Sequence, residues 1–251
     1  IWSIGGLLGG SELARHAAAL VISNGALLGL LMLLRHVAVK EIGEEHANRT
    51  LLYFLLFPAG FFLFAGYTES LFLLLTLGSL WLGKNGRFLP AAALGFLAAL
   101  TRFTGWVLAV PLLYLVWQQF RAHGEWKKFM WQTAVISLPG WGLLSFLAYR
   151  WGVGLRPIGE IYAEYWFQDT GFPGQDILRA LQTIFGSGPA RMGEFTLIFD
   201  LLCLLLISMT TLLAFRRLGI MWGLYSLMLL IYMLLPVSEA KPLYSFSRYS
   251  L

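Results

Sequence analysis

Two charged residues, Glu69 and Arg102, stand alone among residues that otherwise have the composition of membrane core. Glu69 lies in the sequence YTES and Arg102 in TRFTG, and the two apolar runs between them are joined by the basic turn KNGR. If these runs are antiparallel helices, both charges return to the same membrane face. A carboxylate can accept a proton or hold a hydroxyl, and a guanidinium offers a fork to phosphate oxygens. Glu69 and Arg102 are therefore the first candidates for catalytic residues.

Each of these residues also has an ordinary structural interpretation. Glu69 can cap the helix that follows it, with Thr68 or Ser70 helping and the helix dipole favouring its charge. Arg102 can be an interfacial arginine that reaches lipid headgroups. The threonines on either side of Arg102 favour a polar pocket instead, and Gly105 is predicted to supply a backbone turn that other residues resist. The two interpretations of Glu69 are compatible, because a capping carboxylate can still hold a substrate hydroxyl.

Two further polar clusters are predicted to lie on the same membrane face. Arg248 and Tyr249 follow two serines near the end of the chain and are candidate substrate contacts, with an interfacial anchor as the alternative. Further upstream, Tyr165 and Trp166 stand among carboxylates, a combination suited to stacking on a sugar ring and bonding its hydroxyls. The alternative there is an amphipathic helix at the membrane interface. The apolar spacing of residues 176–186 predicts another such helix.

The composition excludes several classes of protein. With 58% hydrophobic and 12% charged residues, the chain carries far less charge than globular proteins, in which about 25% of residues are charged. The net charge of +5 is scattered over short loops and forms no stripe that would bind nucleic acid. The single Cys203 excludes an intrachain disulfide, and the four histidines are too scattered for a metal site. No metal site and no cofactor is predicted, and a divalent ion is left open.

The apolar runs predict one polytopic, all-α transmembrane helical bundle over residues 1–251, with about eight spans. The predicted spans are residues 13–39, 51–66, 71–83, 88–100, 106–120, 129–153, 196–215 and 220–237. Basic residues in short loops place the KNGR turn on the cytoplasmic side, so the clusters described above face the opposite side. Residues 154–195 are too polar to span, and they are predicted to form a non-cytoplasmic interfacial segment of the same domain. Neither chain end reads as a natural terminus, which predicts a fragment of a longer protein.

Five short motifs carry a resemblance to a known family. They are Ile22-Ser23-Asn24, Phe57-Pro58, the YTESLF of residues 67–72, Leu100-Thr101-Arg102 with Gly105, and Arg248-Tyr249. In this order they resemble the GPI mannosyltransferase 2 (PIG-V) family of GT-C glycosyltransferases and its prokaryotic relatives. The resemblance implies a GT-C-like helical bundle whose active site faces the lumen or periplasm. It also implies transfer of mannose from a polyprenyl- or dolichyl-phosphate donor to a glycan or glycolipid acceptor.

The resemblance and the residue types together suggest individual roles. Glu69 and Arg102 would be catalytic, and the substrate-binding residues would be Tyr67, Ser70, Arg248, Tyr249, Tyr165 and Trp166. The main base, an Asp after the first helix of the family, is expected upstream of Ile1. Eukaryotic members tend to carry Asn where Thr104 stands. This favours a prokaryotic-type relative in a bacterial or archaeal plasma membrane, with the endoplasmic reticulum as the eukaryotic alternative.

The reaction expected from the resemblance is a transfer with inversion at the anomeric carbon. A lipid phosphate is already a good leaving group, so the step needs a cation for the developing phosphate charge and a carboxylate for the acceptor proton. Two other functions stay open: a transporter or flippase of lipid-linked or small solutes, and a non-catalytic subunit of a membrane complex. A transporter would show internal repeats and charges along a central path, and the sequence shows neither apart from Asp200.

Overall fold

The computed structural model describes residues 11–57, 60–166, 169–185 and 192–238. The chain divides into two compact units, Ile1–Ser145 and Phe146–Leu251. The prediction of a single domain stays a prediction. The prediction of an all-α membrane protein is confirmed in its helical content, and the described strands are two segments of two residues each.

The first unit is built from helices that follow one another with short turns. Its elements are α1 (Glu12–Ile42), α2 (Glu44–Leu56), α3 (Phe61–Phe64), α4 (Glu69–Lys84), α5 (Phe88–Thr101), a 3-10 helix (Phe103–Leu108), α6 (Ala109–His123), α7 (Trp126–Ile136) and α8 (Leu138–Gly152), which continues past the boundary between the units.

Helix α1 is the long element of the first unit. At 31 residues it is about 46 Å long, at about 1.5 Å per residue. It begins where the side chain of Ser11 accepts a hydrogen bond from the Ala14 amide, with Glu12 in its first turn. It ends at Gly43, whose φ of 89° other residues rarely adopt. Such a helix exceeds the hydrocarbon thickness of a membrane, which is about 30 Å.

Helices α4 and α5 form an antiparallel hairpin that packs on α1. Small residues allow the close approach, since a Cβ on Gly78 would lie 2.9 Å from the Leu94 side chain. Buried Ser79 donates its hydroxyl to the carbonyl of Ala91 at 2.7 Å. Lys84 pairs with Glu41 at the end of α1, so α1 and α4 run in the same direction. The turn between the helices uses Gly86, with φ of 73°.

Two predicted spans are broken in the structure. The predicted span 51–66 is divided between α2, which ends at Leu56, and the four-residue α3. The residue before a proline is disfavoured in the helical region, which explains why α2 ends ahead of Pro58. The predicted span 129–153 is divided at Ser137 between α7 and α8. Pro139 lies in the first turn of α8, where a missing amide is tolerated.

Long apolar helices are fewer than the predicted spans. Among the described residues, three helical stretches are long and apolar enough to cross a membrane: Glu12–Ile42, Phe103–His123 and Leu197–Leu218. Two shorter apolar helices, Phe88–Thr101 and Ile220–Met233, accompany them. The chain is thus an integral membrane protein by composition and helix length, and the predicted number of about eight spans is not confirmed.

The second unit combines helices with a very short antiparallel ladder. Its elements are α9 (Ile158–Trp166), β1 (Asp169–Thr170), α10 (Gln175–Phe185), α11 (Met192–Leu213), a π-helix (Ala214–Leu218), α12 (Ile220–Met233) and β2 (Pro236–Val237). β1 pairs with β2 in the register Asp169 opposite Val237. The helix predicted over residues 176–186 is present as α10. Its prediction as a helix lying on the membrane is incomplete, because Ile177, Ala180 and Ile184 belong to a core shared with α11 and α12.

Candidate active site

Glu69 and Arg102 lie side by side, as the hairpin prediction requires. Glu69 is the first residue of α4 and Arg102 directly follows α5. The Nη1 of Arg102 is 2.6 Å from the Oε1 of Glu69, and the two side chains are 24% and 9% exposed. The guanidinium also stands over the ring of Phe72, at 5.8 Å from its centroid. The catalytic roles themselves stay predictions, whereas the pairing is a feature of the structure.

The backbone around Arg102 explains why its side chain points back at α4. Arg102 leaves the helix in an extended conformation, with φ of −142° and ψ of 140°, while its amide still bonds the carbonyl of Ala98. A 3-10 helix begins at the next residue, and the Gly105 amide bonds the carbonyl of Arg102 at 2.9 Å. The extended residue is therefore held from both sides between two helical segments.

Gly105 is required for a reason other than the predicted one. The sequence suggested a turn that only glycine adopts, but Gly105 is not among the described glycines with positive φ. A Cβ at Gly105 would instead lie 2.3 Å from the backbone nitrogen of Ala99 and 2.5 Å from the carbonyl carbon of Ala98. Glycine is needed because the 3-10 helix packs directly on the backbone of α5.

Tyr67 and Ser70 flank Glu69 and differ in exposure. Tyr67 is 46% exposed, and its ring meets the edge of Phe62 at 5.3 Å between centroids. Ser70 is fully buried and donates its hydroxyl to the carbonyl of Leu63 at 2.5 Å. In this conformation Ser70 has no surface from which to contact a substrate, so its predicted binding role has no support here. Thr68 occupies the N-cap position without making a side-chain capping bond.

The remaining predicted site residues lie in the second unit. Tyr165 is on α9 and is 65% exposed, and Trp166 is the last residue of that helix. Arg248 and Tyr249 lie outside the described residues.

Two of the carboxylates around Tyr165 are exposed and pair with an arginine. Glu164 lies 2.6 Å from the Nη2 of Arg156, and Glu160 lies 3.7 Å from its Nε. The hydrogen bond that Arg156 donates to Glu164, followed by the charge of that carboxylate, raises the pKa of Arg156 above its ordinary value. These carboxylates were predicted to bond sugar hydroxyls, and in the structure they hold Arg156.

Sequence reasoning missed a buried carboxylate at the start of α10. Asp176 is 4% exposed, and its Oδ2 accepts a hydrogen bond from the amide of Ser238 at 2.9 Å. Its Oδ1 lies 3.3 Å from the Nη1 of Arg179. The amide of Gly171 bonds the carbonyl of Leu235 beside it. The bond between Asp176 and Ser238 joins residues 62 positions apart, and an acidic residue at the head of an amphipathic helix was the only local signal.

No group of three or more His, Cys, Asp or Glu residues that could hold a metal occurs within the part of the chain that the structure describes. The Glu69–Arg102 pair brings one carboxylate and one guanidinium together. The Nη1 of Arg102 points at the Glu69 carboxylate. In such an arrangement the carboxylate fixes the direction of the guanidinium, which can then present one edge to an anion.

Comparison with known proteins places this region in a family. Residues 12–139, just over half of the chain, match the family described as mannosyltransferase (PIG-V). A GPI mannosyltransferase 2 from Yarrowia lipolytica is 37% identical over 109 residues, which cover 43% of this chain and 30% of that protein. The chain thus matches less than a third of the length of this relative. No solved structure gives a significant match. The matched residues include α1, the hairpin and the Glu69–Arg102 pair, and the chain belongs to the mannosyltransferase (PIG-V) family.

Proposed function

We propose that the protein is a membrane glycosyltransferase that transfers mannose, or another hexose, from a polyprenyl- or dolichyl-phosphate sugar to a lipid-linked or glycan acceptor. The observation that carries the proposal is the ion pair of Glu69 and Arg102, 2.6 Å apart, inside the region that matches the family. The name of the yeast relative, a GPI mannosyltransferase, supports mannose as the sugar and a glycolipid as the acceptor.

The proposed step is a single displacement at the anomeric carbon. The oxygen of the acceptor hydroxyl forms the new bond to that carbon, and the bond from the carbon to the phosphate oxygen breaks. The lipid phosphate leaves with the electron pair, and the hydroxyl proton passes to a carboxylate. One displacement inverts the configuration at the anomeric carbon. The step uses no organic cofactor, because the phosphate is already a good leaving group.

Arg102 is proposed to bind the donor phosphate. Negative charge grows on the phosphate as the bond to the sugar breaks, and a preorganised cation stabilises that charge most when water is excluded. At 24% side-chain exposure, the guanidinium is largely shielded from water yet still reachable. The Glu69 carboxylate holds one terminal nitrogen, so the rest of the fork is presented in a fixed direction.

Glu69 is proposed mainly as the residue that orients Arg102 and the acceptor. Protonation of Glu69 would remove the charge that pairs with Arg102, at the moment when Arg102 must be held most firmly. Another carboxylate of the protein therefore suits the role of base better, with Glu69 as the alternative. Tyr67, next to Glu69 and 46% exposed, is proposed as a substrate contact, and Arg248, Tyr249, Tyr165 and Trp166 keep their predicted binding roles.

The site is proposed to face the non-cytoplasmic side of its membrane. Support comes from the basic turn at Lys84, which lies at the opposite end of the hairpin from Arg102 and is expected in the cytoplasm. The membrane was predicted to be bacterial or archaeal, with the endoplasmic reticulum as the alternative. The match to a yeast protein supports the second of these.

The proposal is tested by transfer of labelled mannose from polyprenyl-phosphate mannose to glycolipid acceptors, using the full-length protein in membranes. We expect Arg102→Ala to lower kcat at least about a hundredfold, in the range seen when one charge-stabilising donor is removed from an active site. Arg102→Lys keeps the charge but loses the fork, and it should recover only part of this loss. Glu69→Gln should also lower kcat.

Breaking a second ion pair in the same hairpin provides the matched control. Lys84 pairs with Glu41 at the other end of α4, so Lys84→Gln removes an ion pair without touching the proposed site. Transfer by this variant should stay within about twofold of the parent protein. Normal transfer by Arg102→Ala, in protein that is folded as judged by its thermal stability, would reject the site assignment.

A further inference from the structure

We infer that Ser23 and Asn24 of α1 are positioning residues that hold Glu69 against Arg102 by fixing the end of helix α3. The inference rests on the proposed function, because the placement of Glu69 against Arg102 affects transfer only if both residues have the roles proposed for them. Ser23 and Asn24 act through the backbone of residues 63–68, which lead directly into Glu69.

Helix α3 ends in carbonyls that its own four residues cannot satisfy. The last carbonyls of any helix lack partners inside the helix, and α3 is followed by a turn rather than by more helix. Leu63 is fully buried, so its carbonyl cannot rely on water. A buried carbonyl left without a hydrogen bond destabilises the folded state.

Side chains from two different helices converge on these carbonyls. The hydroxyl of Ser23, which is 1% exposed, donates to the carbonyl of Leu63 at 2.9 Å. The hydroxyl of Ser70, in α4, donates to the same oxygen. Asn24 Nδ2 donates to the carbonyl of Phe64 at 3.3 Å and to that of Leu20, in its own helix, at 2.8 Å. The carbonyl of Leu63 thus connects α1 to the first turn of α4.

The turn that follows lies directly on α1. Gly66 has φ of 77°, and a Cβ placed on it would be 3.6 Å from the Leu20 side chain and 3.7 Å from Ala19. Leu20 therefore meets both the Asn24 amide and the turn. Five residues separate Leu63 from Glu69, so a shift of the Leu63 carbonyl moves the start of α4. The ion pair of Glu69, at 2.6 Å, leaves little tolerance for such a shift.

The experiment compares two buried serines of the same chemistry. Ser23 and Ser79 both lie below 2% exposure and both donate to a backbone carbonyl, at 2.9 and 2.7 Å. Ser79 bonds Ala91 between the two helices of the hairpin, away from the turn at residues 65–68. Ser23→Ala should lower kcat about tenfold with little change in KM, because misplacement of a reacting group acts on the transition state. Ser79→Ala should stay within about twofold, and Asn24→Ala should follow Ser23→Ala.

A second measurement reports how often the turn at residues 65–68 opens, and it does not depend on transfer activity. Thr68 is exposed and makes no capping bond, so Thr68→Cys, with Cys203→Ser in the same chain, places a maleimide target next to Glu69. Ser23→Ala should raise its labelling rate about threefold or more over the parent, because a looser turn opens more often. Ser79→Ala should not raise it.

The outcomes separate the inference from the proposed function. Equal labelling rates in Ser23→Ala and Ser79→Ala overturn the inference, whatever happens to transfer. In a Glu69→Gln background, Ser23→Ala should cause no further fall in kcat, because both changes disturb one unit; a full additional tenfold fall also overturns it. If Glu69→Gln itself leaves transfer normal while labelling responds to Ser23→Ala alone, the proposed catalytic site is rejected and the structural link to the turn is supported.

Discussion

At the scale of single residues, burying the Glu69–Arg102 pair costs free energy of desolvation. Moving a charge out of water costs several kcal/mol even after relaxation, and Glu69 is only 7% exposed. Three features offset that cost: the opposite charge at 2.6 Å, the positive end of the α4 dipole, and the face of Phe72 below the guanidinium. A well-packed apolar pair would often be at least as stable. A charged pair such as Glu69 and Arg102 in the apolar part of a membrane protein is typical of a functional site.

Gly105 gives a prediction on how Arg102 is held. Gly105→Ala would place a Cβ 2.3 Å from the backbone nitrogen of Ala99, and backbone cannot move aside as a flexible side chain can. We expect the free energy of unfolding to fall by about 3 kcal/mol, measured as a shift in the midpoint of SDS-induced unfolding. Transfer activity should fall as well, since the 3-10 helix anchors Arg102.

The control for this prediction is a glycine with open space around it. A Cβ on Gly140, inside α8, would meet nothing within 4 Å. Gly140→Ala should leave stability unchanged or raise it by up to about 1 kcal/mol, because alanine is the better helix former. Equal effects of the two substitutions would show that close backbone packing at Gly105 is unimportant.

Individual residues also show what could be predicted from the sequence. Glu69 and Arg102 were found because each is a lone charge in an apolar run, and the KNGR turn predicted their return to one face. The partners of Ser23 and Asn24 could not be found this way, since they bond backbone carbonyls, which carry no signal in the sequence. The same holds for Gly105, where a glycine can signal either a special φ or close packing.

At the scale of elements, local chemistry explains the boundaries of the helices better than hydropathy does. Hydropathy merged α2 with α3 and α7 with α8, because apolar residues continue through both breaks. The chain bends before Pro58 and at Ser137 instead. Helix α10 was predicted from the spacing of its apolar residues. Its contacts with α11 and α12 were not, because apolar spacing does not distinguish a protein core from lipid.

The contacts of Asp176 give a prediction for the second unit. Asp176→Ala removes the acceptor for the Ser238 amide and should release the strand pairing of Thr170 with Pro236. We expect residues 234–238 to exchange their amide hydrogens at least about tenfold faster, which corresponds to the loss of about 1.4 kcal/mol of local protection. Hydrogen exchange with mass spectrometry measures this.

An exposed carboxylate on α9 serves as the comparison. Glu164 pairs with Arg156 at the surface, so Glu164→Gln should leave the exchange of residues 234–238 as it is in the parent. Unchanged exchange in Asp176→Ala would show that the strand pairing holds this segment without the carboxylate.

At the scale of the molecule, the first unit has two chemically different ends. One end carries exposed ion pairs, Arg35 with Glu44 and Lys84 with Glu41, around the basic turn. The other end carries the largely buried Glu69–Arg102 pair. Because basic residues in short loops are retained in the cytoplasm, this difference predicts that the Glu69–Arg102 end faces the non-cytoplasmic side.

The polarity of the first unit is tested by labelling from one side of the membrane. Thr68→Cys at the ion-pair end and Asn85→Cys in the basic turn both place the thiol at an exposed position. A membrane-impermeant maleimide added to the non-cytoplasmic side of intact vesicles should label Cys introduced at 68 and spare that at 85. After permeabilisation both should react. The reverse pattern would place the site on the cytoplasmic side.

The length of the hairpin has a consequence for how a lipid-linked substrate reaches the site. Helices α4 and α5 have 16 and 14 residues, or about 24 and 21 Å, whereas the hydrocarbon of a bilayer is about 30 Å thick. With its basic turn held among the headgroups on one side, the far end of the hairpin stops several ångströms short of those on the other. In a hairpin placed in this way, Arg102 would lie at the level of the upper acyl chains. If the donor is the proposed polyprenyl-phosphate sugar, its tail would remain in the bilayer throughout turnover, and only its phosphate would move from the headgroup water to the guanidinium.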